Sequence, residues 1–158
     1  MMRDVSELNI NAGGRPVTRE PPSPAAVSDF EKAFGLPVPD TLLTLLRFSN
    51  GGHPELDSFN PSGVEDTNSF GVNSFYFLTE DRQAPYSLWE AVRIWRPYIG
   101  QRALPFAEDG GGNIIFLDLT VDPPTVKVCW HDENYRIGEM APSFEEFIDG
   151  LCENPDYI

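Results

Sequence analysis

The sequence predicts an α+β domain in which helices pack on one side of a mainly antiparallel sheet. Four stretches pair a capping residue with apolar residues at helical spacing, and short apolar runs typical of strands lie between them. The elements follow one another as helix, helix, strand, helix, strands and helix, with no internal repeat. This succession is typical of the α+β class.

The length of 158 residues suits a single domain, which we place at residues 23–158. Residues 1–22 are polar and rich in glycine and proline, so we expect a flexible N-terminal tail or a loosely docked arm there. Apolar residues make up 41% of the chain, which is enough for a folded core despite the high charge.

The first helix is predicted between Ser23, which caps it, and Gly35, which ends it. Its apolar face is formed by Val27, Phe30 and Phe34. Pro37 keeps the following connection extended, because proline disfavours helix at the residue before it. A leucine-rich second helix follows, with Asp40 as its predicted cap.

The second helix is predicted to end at Asn50-Gly51-Gly52, since these residue types accept a positive φ. Residues 53–72 are then expected to form a polar loop, and residues 73–79 a strand.

Two further helices open with a capping box, Ser87 with Glu90 and Ser143 with Glu146. In the first of them, Leu88, Ala91, Val92 and Trp95 form the apolar stripe, and Arg93 and Arg96 are assigned to the solvated face. Between these helices, residues 113–119 and 126–130 are predicted to form a hairpin of two strands.

The glycine triplet Gly110-Gly111-Gly112 follows Glu108 and Asp109 and has three possible roles. A phosphate-binding loop needs a lysine that is missing between residues 105 and 126, and the two carboxylates would repel phosphate. A calcium loop needs oxygen ligands at set positions that this segment does not supply. We therefore interpret it as a chain reversal over residues 107–113, with two carboxylates displayed at its tip.

Asp118 lies on an apolar strand face with Ile114 and Phe116. An acid in that position is expected either at the rim of the sheet or paired with a backbone donor. We favour this structural role over a catalytic one.

The net charge of −14, from 25 acidic against 11 basic residues, bounds the possible partners. It disfavours binding to nucleic acid or to an anionic membrane, both of which need clustered Lys or Arg. It favours a soluble protein whose field attracts basic proteins. Without a signal peptide or a long apolar span, we expect a cytoplasmic protein with Cys129 and Cys152 as free thiols.

Catalytic patterns are weak. His53 and His131 are the two histidines of the chain, and neighbours such as His131 and Asp132 point to opposite faces of an extended strand. We therefore predict a protein that is not an enzyme and has no cofactor or metal site.

Several short motifs, in this order, resemble one family over residues 24–152. They are Gly35-Leu36-Pro37, Asn50-Gly51-Gly52, the run from Pro105 to Asn113 with its Asp109-Gly110-Gly111-Gly112 core, Phe116 to Leu119 with Asp118, Val126 to Asp132, and Ser143 to Ile148. This arrangement resembles the SUKH superfamily, and within it the Smi/Knr group named for fungal cell-wall assembly regulators.

The resemblance implies an α+β fold without an active site. Its bacterial members look like immunity proteins that bind polymorphic toxins, often nucleases, and its fungal members look like signalling scaffolds. We expect the shared motif residues to be fold determinants here. The function expected from the resemblance is an immunity protein for a basic toxin domain. The alternative is a regulatory scaffold without a toxin partner, and either would be a monomer or a weak dimer.

The partner interface is expected among acidic residues in loops and at element ends, with exposed aromatic residues as anchors. The candidate acids are Asp57, Glu65, Asp66, Glu80, Asp81, Glu108, Asp109, Asp132 and Glu133. The candidate aromatic anchors are Tyr76, Tyr86 and Trp89.

Overall fold

The structure, a computed structural model, describes residues 2–11, 19–59 and 70–153. Four α-helices are present in these residues: α1 (Pro24–Phe34), α2 (Asp40–Phe48), α3 (Leu88–Ile99) and α4 (Phe144–Gly150). The strands are β1 (Ser58–Phe59), β2 (Phe70–Gly71), β3 (Ser74–Phe75), β4 (Ala103–Glu108), β5 (Ile114–Asp118), β6 (Thr125–Trp130) and β7 (Arg136–Ala141). Two short 3₁₀ segments cover Val5–Leu8 and His131–Glu133.

Strands β3 to β7 form a five-stranded antiparallel sheet in sequential order, and β1 pairs with β2 in a separate antiparallel ribbon. The predicted α+β class, with helices packed on a mainly antiparallel sheet, is confirmed. The two hairpins expected from the sequence are also present, since Leu104 pairs with Leu117 and Phe116 pairs with Lys127. No helix in the described part of the chain is both long and apolar enough to cross a membrane.

Three of the four predicted helix caps are present. The hydroxyls of Ser23, Ser87 and Ser143 each accept a hydrogen bond from a backbone N–H in the first turn of their helix. Asp40 does not cap α2, which was a wrong prediction. The chain already enters the helix at Asp40, and Pro39 takes the capping position without a side-chain hydrogen bond.

Arg96 was assigned to the solvated face of α3, and this assignment was also wrong. Its Nη2 donates to the carbonyl oxygens of Phe34 at 2.7 Å and Gln101 at 3.2 Å. Its guanidinium group lies 5.0 Å from the centre of the Phe34 ring, so the side chain connects α3 to the end of α1.

The sheet differs from the sequence prediction at both edges. At one edge, only Ser74 and Phe75 of the predicted strand 73–79 join the sheet, because Phe77 then bridges to Ser87 instead. At the other edge, β7 was not predicted, because its first residues are polar or exposed and Gly138 interrupts its apolar alternation.

Residues 2–11 pack against the domain, as a docked arm would, which is one of the two arrangements that the composition of residues 1–22 predicts; residues 1 and 12–18 lie outside the described residues. Val5 and Leu8 are buried in the core. The guanidinium group of Arg3 donates to the carbonyl oxygen of Leu151 at 2.8 Å, near the end of α4. Two buried apolar side chains and one basic residue are too few for the sequence alone to decide between a flexible tail and a docked arm.

The two cysteines are free thiols, as predicted, with Cys129 buried and Cys152 exposed. Burial raises the pKa of the Cys129 thiol. Cys152 instead extends the β1 edge, where its backbone exchanges hydrogen bonds with Ser58 at 2.9 and 3.0 Å.

Asn50 connects α2 to the chain that leaves the sheet after β3. Its buried amide accepts a hydrogen bond from the Leu78 N–H at 2.8 Å and donates one to the Leu78 carbonyl at 2.8 Å. The same amide nitrogen donates to the carbonyl of Glu20 at 2.9 Å. Asn50 therefore replaces the strand partner that Leu78 lacks, since a buried backbone group without a partner is costly.

Gly51 and Gly52 bring the chain that follows α2 close to Phe77 and Asn11. Both have a positive φ, 91° and 111°. A Cβ on Gly51 would lie 3.0 Å from Cβ of Phe77, and a Cβ on Gly52 would lie 2.7 Å from the side chain of Asn11. The Asn50-Gly51-Gly52 motif thus combines a backbone conformation with a close approach that larger residues would prevent.

Asp118 has two kinds of partner. Its carboxylate lies 2.8 Å from Nζ of Lys127 and accepts a hydrogen bond from the Thr120 N–H at 2.9 Å, the kind of backbone donor expected from the sequence. Burial would raise the pKa of Asp118, but the hydrogen bonds from Lys127 and Thr120 outweigh it and hold that pKa below its usual value. The bond to Asp118 raises the pKa of Lys127.

Replacing Asn50 with alanine is expected to destabilise the domain by about 2–4 kcal/mol, because both backbone groups of Leu78 lose their partner. Urea unfolding followed by circular dichroism measures this. The matched control is Asn73→Ala, since Asn73 is exposed and its side chain makes no hydrogen bond within the described residues. Equal stability of the two variants would contradict the role assigned to Asn50.

Asp118→Asn is expected to remove part of the acid sensitivity of the fold. A carboxyl group with a depressed pKa in the folded state adds stability above its unfolded pKa of 3.8, and this is lost as the pH falls through the folded pKa. The difference in free energy of unfolding between the wild type and the variant should therefore shrink between about pH 7 and about pH 2. Asp29→Asn, an exposed site on α1, is the control. A constant difference at both pH values would contradict the assignment.

Candidate protein-binding surface

The turn between β4 and β5 is a closed polar network centred on Asp109. Its Oδ1 accepts hydrogen bonds from the N–H groups of Gly111 and Asn113, both at 2.8 Å, and its Oδ2 accepts one from Nδ2 of Asn113 at 2.8 Å. The Asp109 N–H donates back to the Asn113 carbonyl at 3.0 Å. The glycine triplet and its aspartate therefore build a turn, as the sequence analysis favoured.

This turn is joined to the connection between β6 and β7. Oδ1 of Asn113 accepts the His131 N–H at 3.1 Å, and Nε2 of His131 donates to the Gly111 carbonyl at 2.8 Å. Gly112 has a φ of 84°, and a Cβ there would lie 3.4 Å from Nε2 of His131. The Asp109 network thus fixes the position of the 3₁₀ segment His131–Glu133.

The chain after this segment is held in an unusual conformation. Asn134 and Tyr135 both have a φ of 58°, in the left-handed region. Asparagine tolerates this region, but an aromatic residue occupies it only when its surroundings demand it. Ring stacking holds Tyr135 in this conformation, because its ring packs on that of Tyr98 of α3 with centroids 3.7 Å apart and planes 8° apart.

Three aromatic rings meet on the outside of the domain, and we call Trp95, Tyr98 and Tyr135 the aromatic surface. The edge of Trp95 approaches Tyr98 and Tyr135, with centroids 6.2 and 6.1 Å apart. Tyr98 is 45% exposed and Tyr135 is 37% exposed. The hydrogen bond with Tyr98 raises the pKa of the Tyr135 phenol, so this phenol is uncharged near neutral pH.

Acidic residues adjoin the aromatic surface in the same connection. Asp132 and Glu133 are exposed and precede Tyr135 by two or three residues. Glu133 is held by Arg136, whose Nη2 and Nε lie 2.9 and 3.1 Å from Oε1. Stacked aromatic rings, with carboxylates close by in the same connection, form a surface suited to contact with the cationic side chains of a protein.

The other candidate acids are scattered over the domain. Glu80 accepts the hydroxyl of Ser23, Asp81 accepts the N–H of Gln83, and Asp57 lies 3.7 Å from Nε2 of His53. Glu65 and Asp66 lie outside the described residues.

The two carboxylates expected at the tip of the glycine turn are half-buried, and each accepts hydrogen bonds from groups of the domain. Glu108 accepts the hydroxyls of Ser74 at 3.3 Å and Tyr76 at 3.2 Å. Asp109 is used within the turn itself, so neither is a displayed charge.

The predicted aromatic anchors also differ from the exposed ones. Tyr76 is buried, which together with the nearby Glu108 raises its pKa. Trp89 is half-buried, and its Nε1 donates to the Thr79 carbonyl at 2.8 Å. Only Tyr86 is exposed. The sequence does not predict the contact between Tyr98 and Tyr135, because the two residues are 37 positions apart. Only the helical spacing of Trp95 and Tyr98 indicates that those two share a face of α3.

The described ranges contain no group of three or more His, Cys, Asp or Glu side chains arranged to hold a metal ion. The exposed rings and acids together form a candidate surface for binding another protein.

Comparison with known families agrees with the fold. Residues 21–150 match the SMI1 / KNR4 family (SUKH-1), and the chain belongs to this family. A comparison with curated proteins finds no match. Membership identifies a Smi1-type domain of a family associated with protein binding and generally without catalysis.

Asp109→Ala is expected to destabilise the domain by about 1–3 kcal/mol, because two backbone N–H groups and the Asn113 amide lose their acceptor. Amide hydrogen exchange should speed up at residues 111–113 and, through His131, in the connection that carries Tyr135. Asp29→Ala on α1 is the control. Faster exchange confined to residues 109–113 would contradict the coupling between the two turns.

Proposed function

We propose that this protein is an immunity protein that neutralises a cognate toxin, such as a nuclease, by direct binding. The aromatic surface with Asp132 and Glu133 beside it is the observation that carries the proposal. Family membership supports a binding role, and the net charge of −14 supports a basic partner. In this proposal the protein acts in the cytoplasm and has no catalytic activity of its own.

The aromatic surface has the physical properties of an interface centre. Tyrosine and tryptophan supply large contact areas and dominate measured binding energies at interfaces. The three rings are already packed against one another, so little side-chain entropy remains to be lost on binding. An exposed stack of this kind also offers ring faces and edges to arginine or lysine side chains of a partner.

The acids have a separate role in this proposal. Exposed carboxylates such as Asp132 accelerate the encounter with a basic surface and disfavour acidic competitors, but each adds little affinity. Glu133 is already paired with Arg136, so its charge is partly compensated before any partner arrives. Affinity is therefore assigned to the rings and selectivity to the acids.

The alternative is a regulatory scaffold of the Smi/Knr type that has no toxin partner. The same aromatic surface serves a scaffold equally well, so the distinction depends on the identity of the partner. Growth of cells that make the protein together with the toxin encoded beside its gene decides between them. Protection supports immunity, and killing despite wild-type expression rules it out.

Tyr98→Ala combined with Asp132→Arg is expected to abolish protection in that assay. Loss of the Tyr98 ring by itself should weaken the complex with the toxin by about 10–30-fold, since a buried interface tyrosine contributes about 1.4–2 kcal/mol or more. Isothermal titration calorimetry with an inactivated toxin measures the change. Asp29→Arg on α1, an equal charge reversal outside the surface, should leave affinity unchanged. Equal weakening by both would show that bulk charge, and not the aromatic surface, governs binding.

A further inference from the structure

A groove of about 500 Å³ runs between α1 and α3, and none of the three residues of the aromatic surface lines it. Its apolar lining comes from both helices and includes Phe30, Phe34, Trp89, Val92 and Pro97. Phe30 meets Trp89 edge to face, with centroids 5.1 Å apart. Packed aromatic rings therefore form the apolar floor of the groove.

The charged lining of this groove is entirely basic. Arg82, Arg93 and Arg96 line it, and no aspartate or glutamate does. This is three of the 11 basic residues in a chain that has 25 acids. None of the three forms an ion pair within the described residues, whereas Arg3, Lys127 and Arg136 all do. An acidic protein thus concentrates uncompensated positive charge in one groove.

The arginines are positioned by the groove walls. The guanidinium of Arg82 lies 4.6 Å from the centre of the Trp89 ring. Arg96 is held by two backbone carbonyls, yet its Nε is buried without a hydrogen-bond partner. Arg93 makes one long contact, 3.4 Å to the Arg82 carbonyl, which leaves most of its donors available. A charged donor group left unsatisfied in a protein favours binding of an acceptor.

We propose that this groove binds an acidic segment of a partner protein. Aspartate or glutamate side chains of that segment would accept hydrogen bonds from Arg82 and Arg93, because guanidinium groups bind carboxylates in a fork geometry. An apolar side chain of the same segment would pack on Trp89 and Phe34. The apolar floor favours such a segment over a bare inorganic anion, which would leave that part of the groove unfilled.

This site is separate from the surface proposed to bind a toxin and goes beyond that function. The overall charge of −14 repels acidic ligands, so binding of one must come from the local arginines. The chain would then have two binding sites of opposite character.

The test uses the full chain and a short synthetic peptide that alternates aspartate and glutamate around one phenylalanine and one leucine. Titration is followed by the NMR signal of the Trp89 indole N–H. We expect saturable shifts at Trp89, Arg82 and Arg93 at about 0.1 M salt, and at least tenfold weaker binding for Arg93→Glu. Arg47→Glu reverses an exposed charge outside the groove and should bind like the wild type.

Three results would overturn the proposal. One is the absence of saturable shifts at Trp89 with the acidic peptide. Another is equal weakening by Arg93→Glu and Arg47→Glu, which would indicate a response to bulk charge. A third is that inorganic phosphate, or the asparagine and glutamine version of the peptide, produces the same shifts at the same concentration. Folding of each variant is checked by the dispersion of its NMR spectrum.

Discussion

A buried side-chain amide holds the first half of this domain to the sheet. The chain leaves the sheet after Phe75, and Leu78 is buried with backbone groups that have no neighbouring strand. The Asn50 amide satisfies both of them and also binds Glu20, which lies just before α1. One asparagine thus links the start of α1, the end of α2 and the approach to α3. The two glycines after it allow the chain to pass close enough for those bonds to form.

The same physical solution recurs in the turn between β4 and β5. There a carboxylate takes the place of the amide, and Asp109 accepts hydrogen bonds from the backbone N–H groups of Gly111 and Asn113. Both motifs therefore provide hydrogen-bond partners for backbone groups that would otherwise have none, and this role requires no ligand. Their consequence for function is indirect. Through His131, the Asp109 network places the connection in which Tyr135 meets Tyr98, so a fold motif determines the shape of the exposed surface.

The sequence predicted the elements whose signal is local. Serine caps, helix periodicity and the hairpin around the glycine triplet depend on residues a few positions apart, and all are present. Apart from the Asp40 cap, the features that it missed depend on contacts between distant positions. The pairing of Arg96 with the end of α1 joins positions 62 apart, and the buried Tyr76 donates a hydrogen bond to Glu108 on a neighbouring strand. The stacking of Tyr98 on Tyr135 is likewise set by the fold, and β7 is a strand because β6 offers it an open edge.

Net charge alone gives a misleading picture of how this protein meets its partners. Asp109 and Glu108 are bonded within the domain, and Asp118 is neutralised by Lys127. These carboxylates contribute to the total of −14 but offer little to a binding surface. The basic residues are distributed just as unevenly, with three arginines gathered in one groove that has no acid in its lining. In the functions proposed above, recognition therefore depends on where unpaired charge meets exposed aromatic rings, and the sum of the charges determines mainly the rate of encounter.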